Sequence, residues 1–170
     1  MDKTDQNSNL RFVIATKEDL EELQVIRARA FQPVFDSFRK ILGHTIYELA
    51  QKPEDISQKD YLTSLFDEAT LWQMWKADSN GKTIGFVAIR LDEKAKVGEI
   101  GLNAIDPDYA NNGLGTQMYD FAINIMKNAG MKVATVATGG DPSHIPARKA
   151  YQNAGFNVEI PSVWMCQVLD

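Results

Sequence analysis

The stretch DPDYANNGLGTQMYDFAINIM, residues 106–126, decides how the chain is read. It opens on Asp-Pro and two asparagines, passes through Gly113-Leu114-Gly115 and continues into apolar residues at helical spacing. A simple turn needs one or two such residues, and here a whole run precedes a helix. The first turn of a helix has backbone N–H groups without intrahelical partners, and the helix dipole adds partial positive charge there. Glycines at 113 and 115 would let an anion approach those amides. The stretch therefore reads as a phosphate cradle as readily as a plain turn and cap. Two other cradles fit poorly. No Gly-Lys-Ser/Thr is present, which removes a P-loop, and Met118 stands where a dinucleotide fingerprint wants its third glycine.

Upstream of the cradle, LWQMWKAD (71–78) and TIGFVAIRL (83–91) read as strands joined by an SNGK hairpin turn. DEKAK then turns the chain into VGEIGLNAI (97–105), completing an antiparallel meander. Downstream, the helix runs to about Ala129 and is closed by Gly130, and KVATVAT (132–138) reads as a short buried strand. Strand, helix, strand in that order predicts a parallel crossover. A helix follows from Ser143, its expected N-cap, to Ala154, and FNVEI and VWMCQVL read as the last strands. At the other end, LRFVIAT (10–16) is a strand and Thr16 with Asp19 forms a capping box. Leu20, Leu23, Ile26 and Ala30 share one helical face. Pro33 suits the first turn of a second helix, and Ser57–Glu68 reads as a third. The sum is a mixed sheet with helices on both faces.

The 170 residues suit one domain, with residues 1–9 a frayed polar tail and 10–170 the folded unit. A net charge of −5 without a basic run argues against nucleic acid as partner. No apolar run approaches a membrane span, and MDKTDQNSN lacks the core of a signal peptide, so a cytoplasmic protein is expected. The single cysteine, Cys166, excludes an internal disulfide. It alternates with Trp164 and Val168, which reads as a core face. Two histidines and one cysteine, without clustered spacing, argue against a metal site. Trp72 and Trp75 read as core, and His44 as structural.

Two spaced motifs give the chain a family likeness. Ala110-Asn111-Asn112-Gly113-Leu114-Gly115 follows a strand and precedes a long helix, and ARKAYQNAGF places Ala147, Tyr151 and Gly155-Phe156 on a later one. In both motifs and in the order of elements the chain resembles the GNAT superfamily of acyl-CoA-dependent N-acyltransferases. That family's signature is Arg/Gln-x-x-Gly-x-Gly/Ala. The two glycines match and the opening Arg/Gln is replaced by Ala110. His144 stands where a family asparagine often precedes the helical alanine by three residues.

The resemblance implies an α/β (α+β) fold, a centrally split sheet of about seven strands, and acetyl-CoA as cosubstrate. The pyrophosphate would lie on the loop from Ala110 through Asn111, Asn112, Gly113, Leu114 and Gly115 to Thr116. Asn103, Ala104 and Ile105 would face the pantetheine through their backbone, at a bulge that Gly101 fits. His144, which read alone is equally a surface histidine, and Ala147 would lie along the cofactor.

Acetyl transfer to an amine needs a base, a stabilised carbonyl oxygen and an acid for the departing thiolate. By resemblance Glu99 is the candidate base and Tyr151 the candidate acid. Read alone, Glu99 is equally an exposed strand residue and Tyr151 an aromatic on a buried helix face. The acceptor, a small-molecule or peptide amine, would meet walls from the first two helices, with Phe31, Phe35, Asp36 and Tyr47 as candidates. The departures at Ala110 and His144 leave open a catalytically degenerate acyl-CoA sensor. An exposed last strand would allow pairing into a homodimer.

Overall fold

The computed structural model describes residues 10–169; the frayed tail expected over 1–9 lies outside the described residues. Asn80 and Gly81 both take positive φ, 54° and 81°, which suits the twist of a tight hairpin. They turn β2 (Trp72–Ser79) directly into β3 (Lys82–Asp92). Lys96, also at positive φ, leads into β4 (Val97–Ile105). With β1 (Leu10–Ile14) against β2, the first four strands are antiparallel neighbours in chain order. β5 (Val133–Val136) is added parallel to β4 through the crossover helix, as the strand–helix–strand order predicts.

Alternation along β3 divides the core into two layers. Phe86 and Ala88 pack with residues of α1 (Leu20–Ile46) and α2 (Lys52–Ser64). Val87 and Ile89 pack with α3 (Leu114–Asn128) and the face of α4 (Ile145–Asn153).

β4 carries an irregularity that sets the rest. Val87 pairs with Asn103 and Ile89 with Ile100, so β4 uses three residues where β3 uses two. The bulge falls at Gly101–Leu102. A side chain at 101 would collide with Trp72, whose ring carbon lies 2.5 Å from the position of a Cβ. Ile100 and Asn103 face the α3–α4 layer, while Leu102 and Ala104 pack toward α1 and α2. Pairing of β4 with β5 ends at Ile100↔Val136, so, among the described residues, 101–105 have no strand partner on that side.

Several expectations are corrected. Pro33 does not open a second helix; α1 runs through it, and the interruption comes at Gly43 (φ 70°, ψ 176°). A continuous apolar face from Leu23 to Phe31 outweighs the hydrogen bond that Pro33 removes. A π-helical turn, Tyr47–Gln51, leads into α2, which begins at Lys52 with Pro53 in its first turn. Ser57 therefore lies inside α2 and bonds back to the Glu54 carbonyl at 2.9 Å. Asp141, not Ser143, caps the turn before α4.

The sheet has five strands rather than about seven, because FNVEI and VWMCQVL form no strand. Val158 and Ile160 are 87% and 92% exposed, and Cys166 is exposed rather than core. β5, expected buried, is correspondingly half open, with Val133 exposed. Among the described residues no helix is long and apolar enough to cross a membrane.

Gly101→Val should destabilise the fold by about 1–3 kcal/mol, the usual cost of overpacking, read as a lower urea midpoint at unchanged slope. An unchanged midpoint would show that Trp72 does not hold the bulge.

Candidate functional site

Three groups of residues surround the place where β4 and β5 part. The first is the glycine loop. Asp106 is buried and fixed by its N–H to the Ile84 carbonyl (2.9 Å) and by Arg29 of α1 (2.8 Å), which also reaches Asp108 (2.9 Å). A 3-10 turn (Pro107–Tyr109) follows, then Asn111 and Gly113 at φ 64° and 77°. Gly113 caps α3 without a side-chain bond, no acidic residue lies in the first turn, and the Gly113 carbonyl first accepts from Gln117 N (3.1 Å). The amides of Leu114, Gly115 and Thr116 are thus left without helical acceptors. Space is open where a Cβ of Gly113 would stand. Gly115 also has a packing role: its missing Cβ would lie 3.3 Å from that of Ala150, so the glycine lets α3 and α4 approach. The arrangement suits a pyrophosphate at Gly113 and the three free amides.

The second group lies on the α3–α4 side of β4. Asn103 Nδ2 donates to the Gly101 carbonyl (2.9 Å) and to the Tyr151 hydroxyl (3.0 Å), while its Oδ1 accepts from the Tyr119 hydroxyl (2.8 Å). The two tyrosine rings stack with centroids 4.3 Å apart. Burial pushes the Tyr151 hydroxyl above its ordinary value, against the hydrogen bonds from Tyr119 and Asn103. Burial and the neighbouring Tyr151 push Tyr119 higher still. Both therefore keep their protons at neutral pH. Asn103 Nδ2 donates to the Tyr151 hydroxyl and so holds that hydroxyl in place. Asn103 was expected to matter through its backbone alone, yet its side chain fixes both hydroxyls. Ala147 packs into the same layer. Tyr119 was missed because nothing in its spacing separates it from the apolar face of α3.

The third group is on the opposite side. A cavity of about 450 Å³ opens between α1 and α2, lined among others by Phe31, Phe35, Phe38, Asp55, Tyr61 and His144. Of the expected wall residues, Phe31 and Phe35 are there. Asp36 is engaged with Arg39 and Gln32 outside it. Tyr47 is buried behind it, donating to Asp55 at 3.0 Å. Glu99 pairs with Arg90 on β3. Burial and the Glu99 carboxylate push the Tyr61 hydroxyl up, with Arg90 opposing.

His144, expected along the cofactor, instead lines the cavity against Phe38 (6.0 Å between rings), its Nδ1 bonded to Asp141. Asp141 also accepts from Ser143 N (3.0 Å), the Ser143 hydroxyl and the Ser37 hydroxyl (3.1 Å). The only advance sign of this cluster was the Asp141-x-x-His144 spacing. Among the described residues no group of three or more His, Cys, Asp or Glu could hold a metal ion.

A sheet that opens past Ile100 beside an uncapped helix N-terminus is the arrangement that the acyltransferase resemblance implied. Residues 35–156 match the Acetyltransferase (GNAT) family, and the chain belongs to it. It is 32% identical over 95 residues to an uncharacterized N-acetyltransferase of Methanocaldococcus jannaschii. That match covers 52% of this chain and 41% of the relative, so the chain spans about two fifths of that relative's length.

Among solved structures, the ribosomal-protein-S18-alanine N-acetyltransferase of Escherichia coli is similar at TM-score 0.65 and 17% identity, over 89% of this chain and 80% of its own. The PaiA N-acetyltransferase of Thermoplasma acidophilum, solved with coenzyme A, is similar at TM-score 0.62 and 19% identity, over 91% and 93%. At these identities the likeness is one of fold.

Burial raises the Asp141 carboxyl, but hydrogen bonds from Ser143 and His144 outweigh it and hold the group at about 2 instead of 3.8. A carboxyl depressed on folding adds stability that is complete above the unfolded value and is lost as pH falls through the folded one. Asp141→Asn should therefore cost about 2 kcal/mol above pH ~4 through this ionisation, and that part should vanish as pH approaches ~2. Urea melts of both proteins at several pH values measure it. A wild-type-to-variant gap independent of pH would show that the carboxylate is not held this way.

Proposed function

We propose that the protein transfers an acetyl group from acetyl-CoA to a primary amine, by direct attack within a ternary complex. The observation that carries this reading is the uncapped, acid-free first turn of α3 opening beside the β4–β5 split. The pyrophosphate would sit on the amides of Leu114–Thr116 at Gly113, with Ala110, Asn111 and Asn112 flanking it. The backbone of Asn103–Ile105 would run alongside the pantetheine. Acetyl-CoA supplies an activated acyl carbon, and the chain's own part is to orient it, bind the amine and move protons. Tyr151, protonated and aligned by Asn103, is the acid for the departing thiolate. Glu99 is the carboxylate available on the acceptor side, although Arg90 already engages it.

The cavity between α1 and α2 would take the amine. Phe31, Phe35 and Phe38 offer apolar and cation–π surface, and the buried Asp55 carboxylate has no cationic partner within ion-pair distance among the described residues. That combination suits a cationic acceptor with an apolar body, whether a small molecule or a peptide end. The name of one structural neighbour, which acts on ribosomal protein S18, supports the peptide option; an aminoglycoside N-acetyltransferase at TM-score 0.61 supports the small-molecule one. A cytoplasmic location accords with the exposed, unpaired Cys166. The apolar segment around Val158–Leu169 and the open edge of β5 support pairing with a second copy.

Thiol release from acetyl-CoA, followed across phenethylamine, spermidine, an aminoglycoside and a peptide with N-terminal alanine, tests the reading. Turnover with at least one amine is expected. Tyr151→Phe should then lower kcat by ~10²–10⁴-fold with coenzyme A affinity retained. Binding without thiol release from any amine would point to the acyl-CoA sensor instead.

A further inference from the structure

Resting on the transferase reading, we propose that His144, oriented by Asp141, is the base that deprotonates the acceptor amine in the α1–α2 cavity. Nδ1 of His144 is bonded to Asp141 Oδ1, and Asp141 is itself fixed by Ser143 N, the Ser143 hydroxyl and the Ser37 hydroxyl. A carboxylate on Nδ1 places the ring proton there and leaves Nε2 with a lone pair, the arrangement by which an orienting acid prepares a histidine base. Nε2 has no hydrogen-bond partner among the described residues, and the ring lines the cavity beside Phe38.

The placement is built in on several sides. A side chain at Gly139 would lie 2.4 Å from His144 Nδ1, so the glycine makes room for the ring. Arg148 donates to the Gly139 carbonyl and, at 3.0 Å, to the Asp141 carbonyl, closing the loop around it. Glu99 is the weaker candidate, since its carboxylate is engaged by Arg90 and it does not line the cavity.

The charged and titratable groups around the ring are Asp141 and Arg148 on its own side, with Glu54, Asp55 and Tyr61 across the cavity from α2. From α1 it meets Phe38 and, through Asp141, Ser37. The facing carboxylates favour an ammonium, which must lose a proton before it can attack. His144 caps α4 seven residues before Tyr151, two helical turns or ~10 Å along the axis, so one helix carries both base and acid.

The protons balance. The ammonium gives one to His144 Nε2, and the neutral amine bonds to the thioester carbon. As the C–S bond breaks, the sulfur takes the Tyr151 proton. The nitrogen sheds its second proton, which restores Tyr151 through solvent. His144 releases the first to water, so amide, free thiol and one proton are the products.

Two measurements test this on the whole chain. The protein has two histidines, so side-chain ¹⁵N spectra resolve both. His144 should be the Nδ1–H tautomer, opposite to the preference of free imidazole side chains. For the best amine in the panel, His144→Gln should lower kcat by ~10²–10⁴-fold and abolish the acidic limb of the pH profile, with coenzyme A affinity unchanged. Glu99→Gln should retain that limb. Asp141→Glu should keep more activity than Asp141→Asn if orientation is what Asp141 supplies. An Nε2–H tautomer, or turnover and an acidic limb that survive His144→Gln, would overturn the assignment and leave the transferase reading standing. No turnover by the wild type with any amine would defeat both.

Discussion

β4 cannot stay paired with β5, and the site depends on that. The three-for-two bulge at Gly101–Leu102 changes which faces the following residues occupy. Asn103 then points into the α3–α4 layer, where it aligns Tyr119 and Tyr151, while Leu102 and Ala104 pack under α1. The ring of Trp72 fills the place of a side chain at 101, so the bulge is held by core packing as well as by backbone. Past Ile100 the two parallel strands part, and the opening lies between an uncapped helix end and an apolar, acidic cavity.

The two sides of the opening have opposite chemistry. On the α3–α4 side lie the uncapped amides of a helix end and two tyrosines that hold their protons because burial disfavours their charged forms. On the α1–α2 side, aromatic rings surround carboxylates and a histidine. Arg29 ties the sides together, reaching from α1 to Asp106 and Asp108 and so fixing the start of the glycine loop. A reaction that joins an anionic carrier to a cationic acceptor suits such a division.

Much of the fold was legible because local rules and global packing agreed. Asn80-Gly81 required a hairpin, Gly130 closed α3 at φ 75°, and VGEIGLNAI became β4 at the expected bounds. The glycine loop was legible as a loop that ends at the start of α3, with Gly113 at positive φ, whereas the packing of Gly115 against Ala150 was not. Failures came where one residue was asked to decide. Pro33 was overridden by the apolar face of α1, and Ser57 by the earlier start that Pro53 allows α2. The alternation around Cys166 predicts a strand, but a strand also needs a partner edge, which a sequence pattern cannot supply. The Asn103–Tyr119–Tyr151 contacts and the Ser37–Asp141 bond join residues far apart in the chain, so local spacing reveals at most the Asp141–His144 pair.

The central claim is that the free first turn of α3 receives the pyrophosphate of coenzyme A. Backbone amide spectra of ¹⁵N-labelled protein, titrated with coenzyme A, test it directly. The largest saturable shifts should fall on Gly113, Leu114, Gly115 and Thr116, with smaller ones along Asn103–Ile105. Shifts confined elsewhere, or none at millimolar ligand, would contradict it, leaving a GNAT fold whose helix end serves no acyl carrier.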